Sequence, residues 1–153
     1  MTARRAPAKL WRMDNQHTLI EAENAAPESV ADLVRQHACD IPDATAFTFA
    51  DESLSFAQLD AGSNRAANAM IAHGLKKGGR VAYLGKNHHL YFEALIAAMK
   101  IGAVMTPVNW RLAGPEVAFI VSDCKAPALF VGPEFITQVR NIRSQLPDVR
   151  TVI

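Results

Sequence analysis

From Val81 onward the chain alternates in a way that admits few folds. Four short apolar runs, "VAYL", "AVMTPV", "ALFV" and "TVI", are separated by three segments of helical pattern. Runs this short, without polar alternation, suit strands buried on both faces. A helix between each pair carries the chain back across the sheet, so consecutive strands come to lie parallel. The expected fold class is α/β, a parallel sheet with flanking helices.

The helical segments carry their own punctuation. "NHHLYFEALIAAMKIG" is apolar on nearly every face between Leu90 and Met99, which predicts a helix enclosed on more than one side. Gly114 and Pro115 open the next helix, with Pro115 in its first turn, running through "EVAFIVSDC". "FITQVRNIRSQL" is the third.

Upstream of Val81, residues 1–25 read as polar and irregular, and a single domain is expected over 26–153. Ser29 is a plausible helix N-cap for "SVADLVRQHAC", with Asp32 three residues on and Val30, Leu33, Val34 and His37 at helical spacing. A turn follows at Pro42 and Asp43. Two short apolar segments then flank Asp51-Glu52-Ser53 and predict an N-terminal β-hairpin. Ser55 and Gln58 form a capping box that opens a helix carrying Leu59, Ala66, Ala67, Met70 and Ile71 and ending at Gly74.

Several function classes are excluded or left without support. A net charge of +1 gives no electrostatic argument for nucleic acid or an anionic membrane. No apolar run approaches the roughly 18 residues of a membrane span. The basic start "MTARRAPAKLWRMDNQ" is not followed by an apolar core, so it is a poor signal peptide. A cytoplasmic location is the expectation. The two cysteines, Cys39 and Cys124, lack metal or redox spacing and read as reduced core thiols. After "VAYL" come Gly85, Lys86 and Asn87, not the glycines of a dinucleotide fingerprint, and neither a Walker loop nor a G-x-S-x-G elbow occurs. His88 and His89 are adjacent; within a helix their side chains would point about 100° apart and could not grip one metal, so no metal site is expected. His37 reads as a packing or surface histidine. Lys76, Lys77 and Arg80 form a basic turn, either solvated or an anion site. The residues alone yield no complete catalytic constellation.

Four stretches together resemble a known superfamily. "LSFAQL" is similar to the L-[TS]-Y-x-E-L opening motif of adenylate-forming enzymes, and "MKIGAVMTPVN" to their L-K-A-G-A-x-x-x-P-[IL]-[DN] motif. Between them, "ANAMIAHGLKKGGRVAYLGKNHHLYFEALIAAM" resembles the family's helix, G-[LV]-x-x-G-D-R-V turn, strand, asparagine and apolar helix. "NWRLAGPEVAFIVSDCKAPALFV" continues the match, which spans roughly residues 28–135 and leans toward the fatty-acyl and aryl coenzyme A ligases. Phe56, Gln58, Gly79 and Lys86 depart from the pattern at positions where the family usually has Tyr, Glu, Asp and Pro.

The resemblance implies the N-terminal part of the large domain of an AMP-forming acyl-CoA synthetase. Such an enzyme adenylates a carboxylic acid with ATP and Mg2+ and then transfers the acyl group to coenzyme A. It also implies that the phosphate loop, the ribose-binding aspartate and the catalytic lysine lie outside this region, since no residue here matches them. The chain by itself is therefore expected to be inactive. It is also expected to self-associate through uncovered strand edges and the Leu90–Met99 surface. The alternative reading is a free-standing, non-catalytic α/β module that pairs with a partner chain.

One residue carries the resemblance into chemistry. In "MKIGAVMTPVNWRL", Gly102 ends a helix and Pro107, which lacks an amide hydrogen, is expected to end the strand ladder. Neither explains Arg111. An arginine just past the carboxyl end of a parallel strand lies where open α/β sheets bind ligands, and its fork of donors suits phosphate. In the coenzyme A ligases of the resembled family an arginine at this N-x-R-L position contacts phosphates of the coenzyme A nucleotide. The competing role for Arg111 is a surface salt bridge with Glu116 or Asp123. Trp110 either packs or stacks beside the same surface.

Overall fold

The computed structural model describes residues 10–13, 19–22 and 27–153. Strands β1 (Leu10–Met13) and β2 (Leu19–Ala22) pair antiparallel within the stretch the sequence reads as irregular. The remainder of residues 1–25 lies outside the described residues.

Local signals set the next three elements. Helix α1 (Val30–Asp40) starts at Ser29, whose hydroxyl accepts the Asp32 amide. The same hydroxyl donates to Asp32 Oδ2 at 2.7 Å, and with the Arg35 guanidinium it holds that carboxyl below its ordinary range. Ala31 and Val34 face inward, whereas Val30 and Leu33 are exposed. Strands β3 (Thr45–Phe49) and β4 (Glu52–Ser55) form the expected hairpin. Its turn is Ala50-Asp51, not Asp51-Glu52-Ser53, because Ala50 takes a left-handed φ of 51° and closes the turn in two residues. Both halves of the Ser55–Gln58 capping box are made at the start of α2 (Phe56–Ala72). Gly74 follows that helix at φ 83°.

The main sheet is four-stranded and parallel, in the order β6-β5-β7-β8, from β5 (Arg80–Leu84), β6 (Val104–Val108), β7 (Ala128–Val131) and β8 (Thr151–Val152). Successive side chains of β5 point to opposite faces. Val81 joins Met70, Ala94, Ala97 and Ala98 under α2 and α3 (His89–Lys100). Ala82 and Leu84 join Val117, Val121, Leu129 and Leu146 under α4 (Gly114–Asp123) and α5 (Ile136–Ile142). α1 and the hairpin form a third cluster, with Val34, Leu59 and Ile96 at its centre.

α3 is enclosed as its composition requires: it packs against α1, α2, β3 and β6, leaving Leu90 and Met99 exposed near its two ends. The Leu90–Met99 segment is therefore not the continuous exposed surface expected from sequence. The most exposed large apolar side chain among the described residues is Phe119 of α4. Cys39 is also corrected: it lies exposed in the last turn of α1, not in the core.

Gly102 acts as the sequence suggests, turning the chain out of α3 at φ 66°, where its carbonyl accepts the Gly78 amide at 2.7 Å. A Cβ there would meet Lys77 Cγ at 3.0 Å in addition to the backbone strain. Gly102→Ala should lower unfolding free energy by about 1–2 kcal/mol, the ordinary cost of a left-handed alanine; an unshifted urea midpoint would contradict this. Pro107 does not end the ladder. Pairing continues through Pro107 opposite Tyr83 to Val108 opposite Leu84. β6 is an outer strand of this sheet, a position where a missing amide hydrogen is tolerated.

Candidate functional site

The helices after β5 and β7 lie on opposite faces of the sheet, although the two strands are neighbours. The chain therefore parts at the carboxyl ends of these strands and leaves a crevice, the place where open α/β sheets take ligands. A cavity of about 530 Å³ occupies it. Tyr83 and Lys86 line it from the β5 side, Phe130 and Glu134 from the β7 side, and Ala66 and Glu93 from α2 and α3. The walls are mainly apolar. The two loops are tied by the Gly132 amide, which donates to the Leu84 carbonyl at 2.8 Å.

Tyr83 sits at the floor, donating its hydroxyl to the Lys86 carbonyl at 3.3 Å and meeting Tyr91 edge-on. Burial pushes its hydroxyl above the ordinary tyrosine range, and the Glu134 carboxylate adds to the effect. It is a neutral hydrogen-bonding group at physiological pH.

A smaller crevice of about 280 Å³ opens on the other side of Tyr83, toward β6, and is bounded by Asn109 and Trp110. Trp110 packs against the α4–α5 core and lies 6.1 Å from Phe135, ring centre to ring centre. Both nearby cations face it: the Arg111 guanidinium at 4.1 Å from the ring centre and the Lys86 ammonium at 5.5 Å. Packing and stacking are thus not alternatives for Trp110. The side chain is anchored against the core while its ring faces the two cations.

Arg111 stands just past β6, as its place in the sequence implies. Its amide donates to Asn109 Oδ1 at 3.0 Å, and the loop is held from α5 by Gln138, which donates to the Leu112 carbonyl at 3.0 Å. No carboxylate among the described residues lies within salt-bridge distance of it. Glu116 is occupied elsewhere, accepting the Ala113 amide at 2.8 Å. The guanidinium is exposed and rests on a ring, and among the described residues none takes a hydrogen bond from it. Sequence reasoning missed Lys86 at this corner, because it registered only as a departure from a proline.

Of the remaining candidates, His37 stacks edge-on against Phe56 at 4.8 Å. Lys76, Lys77 and Arg80 are exposed around their turn. His88 and His89 come together, contrary to the premise that both sit in a helix. His88 is the extended N-cap of α3, so the ring centres of the two histidines lie 4.0 Å apart.

With this geometry in place the chain can be set beside known proteins. The family described as AMP-binding enzyme matches residues 34–153. The chain belongs to the AMP-binding enzyme family. It is 39% identical over 123 residues to the indoleacetate–CoA ligase of Aromatoleum aromaticum, covering 80% of this chain and 24% of that protein. It is 41% identical over 112 residues to the fatty acid–[acyl-carrier-protein] ligase ScoC of Streptomyces coeruleorubidus, covering 73% and 22%. Among solved structures, the N-terminal domain of FACL13 from Mycobacterium tuberculosis superposes with a TM-score of 0.78 at 34% identity, covering 82% of this chain and 33% of that one. The chain thus spans about a quarter of the length of the curated relatives. Family membership accords with the parallel sheet, the flanking helices and the hairpin. Among the described residues no helix is long and apolar enough to cross a membrane.

Proposed function

We propose that this chain is the N-terminal part of an AMP-forming acid–coenzyme A ligase and that Arg111 binds a phosphate of the coenzyme A nucleotide. In that reaction ATP and Mg2+ convert a fatty or aryl acid to its acyl-adenylate, and the thiol of coenzyme A then displaces AMP. On this reading the phosphate loop, the ribose-binding aspartate and the catalytic lysine belong to the rest of the enzyme, and the chain by itself is inactive. Its part in the reaction is to form the sheet, contribute wall to the switch-point crevice and offer Arg111. The observation that carries the reading is the state of Arg111: exposed, past the carboxyl end of a strand, stacked at 4.1 Å on Trp110, and without a carboxylate partner among the described residues.

The test is kinetic and belongs in the full-length ligase. A hydrogen bond to a charged group contributes about 1.5–3 kcal/mol, less where water screens it. For the exposed Arg111, a loss of roughly 1–2 kcal/mol corresponds to a five- to thirtyfold rise in KM for coenzyme A on Arg111→Ala. The adenylation half-reaction, followed by pyrophosphate release, should be nearly unchanged. Arg111→Lys should recover part of the loss, because a point charge replaces a fork. An unchanged KM for coenzyme A in Arg111→Ala would retire the role. So would an enzyme that accepts only a carrier protein.

A further inference from the structure

We propose that Glu52, His88 and His89 form a binding site for a borderline divalent transition metal, with Zn2+ as the expected ion. The three residues come from two elements. Glu52 is the first residue of β4, just after the hairpin turn, while His88 and His89 open α3. One donor atom from each lies within 4.8 Å of the other two. His89 Nδ1 is 3.5 Å from Glu52 Oε2.

Two imidazoles and one carboxylate are a donor set for Zn2+, Co2+ or Ni2+ and not for Mg2+ or Ca2+, which prefer all-oxygen shells. Four-coordinate zinc needs its donors closer together than 4.8 Å, at Zn–N and Zn–O distances of about 2.0–2.2 Å. The required movement falls on Glu52, whose side chain is 73% exposed and free to swing. The two histidines are half-buried, and His88 is braced edge-on by Phe49 of the hairpin, ring centres 5.6 Å apart. The imidazoles are therefore held while the carboxylate closes on the ion.

The geometry also bounds the affinity. His88 Nδ1 accepts the Leu90 amide as the N-cap of α3, at a long 3.4 Å. A metal on Nδ1 takes the lone pair that accepts this bond; a metal on Nε2 leaves the proton on Nδ1. Either way the cap bond is given up, and with three ligands on the surface the dissociation constant is expected in the micromolar range. Binding would pin the β3–β4 hairpin to the start of α3, beside the mouth of the larger cavity, which Phe49 and His88 help to line. This role is independent of the proposed ligase activity.

The test uses the untagged, metal-free full-length protein that carries these residues, titrated calorimetrically with ZnCl2. One site per chain is expected, with a dissociation constant on the order of 1–100 μM and a rise in Tm on the order of 5 °C at saturating metal. Co2+ should give the visible absorption of a low-coordinate site. Glu52→Gln and His89→Gln should each weaken binding at least tenfold. His88→Asn keeps an N-cap acceptor, so the helix start is preserved while the ligand is lost, and it too should weaken binding at least tenfold. Circular dichroism of each variant establishes that it is folded. A dissociation constant above about 1 mM would overturn the site. Affinity unchanged in folded His88→Asn and His89→Gln would do the same, by placing the ion on other histidines or the cysteines.

Discussion

Lys100→Met should lower the free energy of unfolding by about 2–4 kcal/mol. The Lys100 side chain at the end of α3 is only 6% exposed, and its ammonium donates to Asp60 Oδ1 at 2.6 Å, to Asn64 Oδ1 at 2.7 Å and to the Asp60 carbonyl at 3.2 Å. All three of its donors are used, and all three acceptors belong to α2. Methionine fills the same channel but leaves the Asp60 carboxylate, 19% exposed, with no cation. Removing one partner of a fully buried pair costs about 3–5 kcal/mol, and the residual exposure of Asp60 lowers that figure. The damage should be repairable. In a Lys100→Met, Asp60→Leu double variant no charge is stranded, and much of the stability should return, since apolar replacement of a buried pair is often neutral. Urea unfolding of the two single variants and the double gives the coupling directly. Purely additive losses would mean that the pair does not act as a unit.

Leu129→Ala should cost a similar amount, about 3–4 kcal/mol, by a different mechanism. Leu129 is fully buried on β7 and is grouped with Leu84, Val117, Val121, Leu146 and Val149. These neighbours come from the sheet, α4 and the segment after α5, and rigid elements close poorly over a hole. The loss therefore includes the transfer free energy of the removed carbons and a cavity term. In a domain of this size it corresponds to a fall in Tm of roughly 10 °C. Leu129→Met, which keeps the volume, should cost less than about 1.5 kcal/mol. A cost for the alanine variant below that of the methionine variant would show that this side of the sheet collapses readily.

What the sequence discloses here is mostly what a few neighbouring residues decide. The Ser29 cap, the Ser55–Gln58 box, the glycine at 74 and the proline at 115 act over three or four residues, and each stands where expected. The strand and helix order from Val81 follows from short apolar runs alternating with segments of helical pattern. Arg111 could be found because its position relative to a strand end is itself a sequence property. Features that need distant partners stayed hidden. Lys100 reads as an ordinary helix-end lysine until α2 brings Asp60 and Asn64 to it. His88 and His89 are incompatible with a shared metal only if both are helical; the extended backbone at His88 removes the objection. Ala50 at positive φ has no local signature, so sequence alone puts the hairpin turn one residue late. Pro107 looks like a strand terminator unless one knows that β6 lies at an edge.

The placement of β5 also constrains how the molecule can assemble. It pairs Val81 with Met105 on one side, beyond α3, and with Ala128 on the other, beyond both α3 and α4. Each pairing requires a long loop to close before any ladder hydrogen bond forms, and that entropy weighs on the rate. The β3–β4 hairpin and the capped helices have no such debt, because their contacts are short in sequence. β5, one of the two inner strands, is thus the element with the least to gain early and the most to lose if its neighbours arrive late. A nascent chain released before β7 has docked holds an apolar strand with one edge open, and its fate then turns on the speed of one crossover.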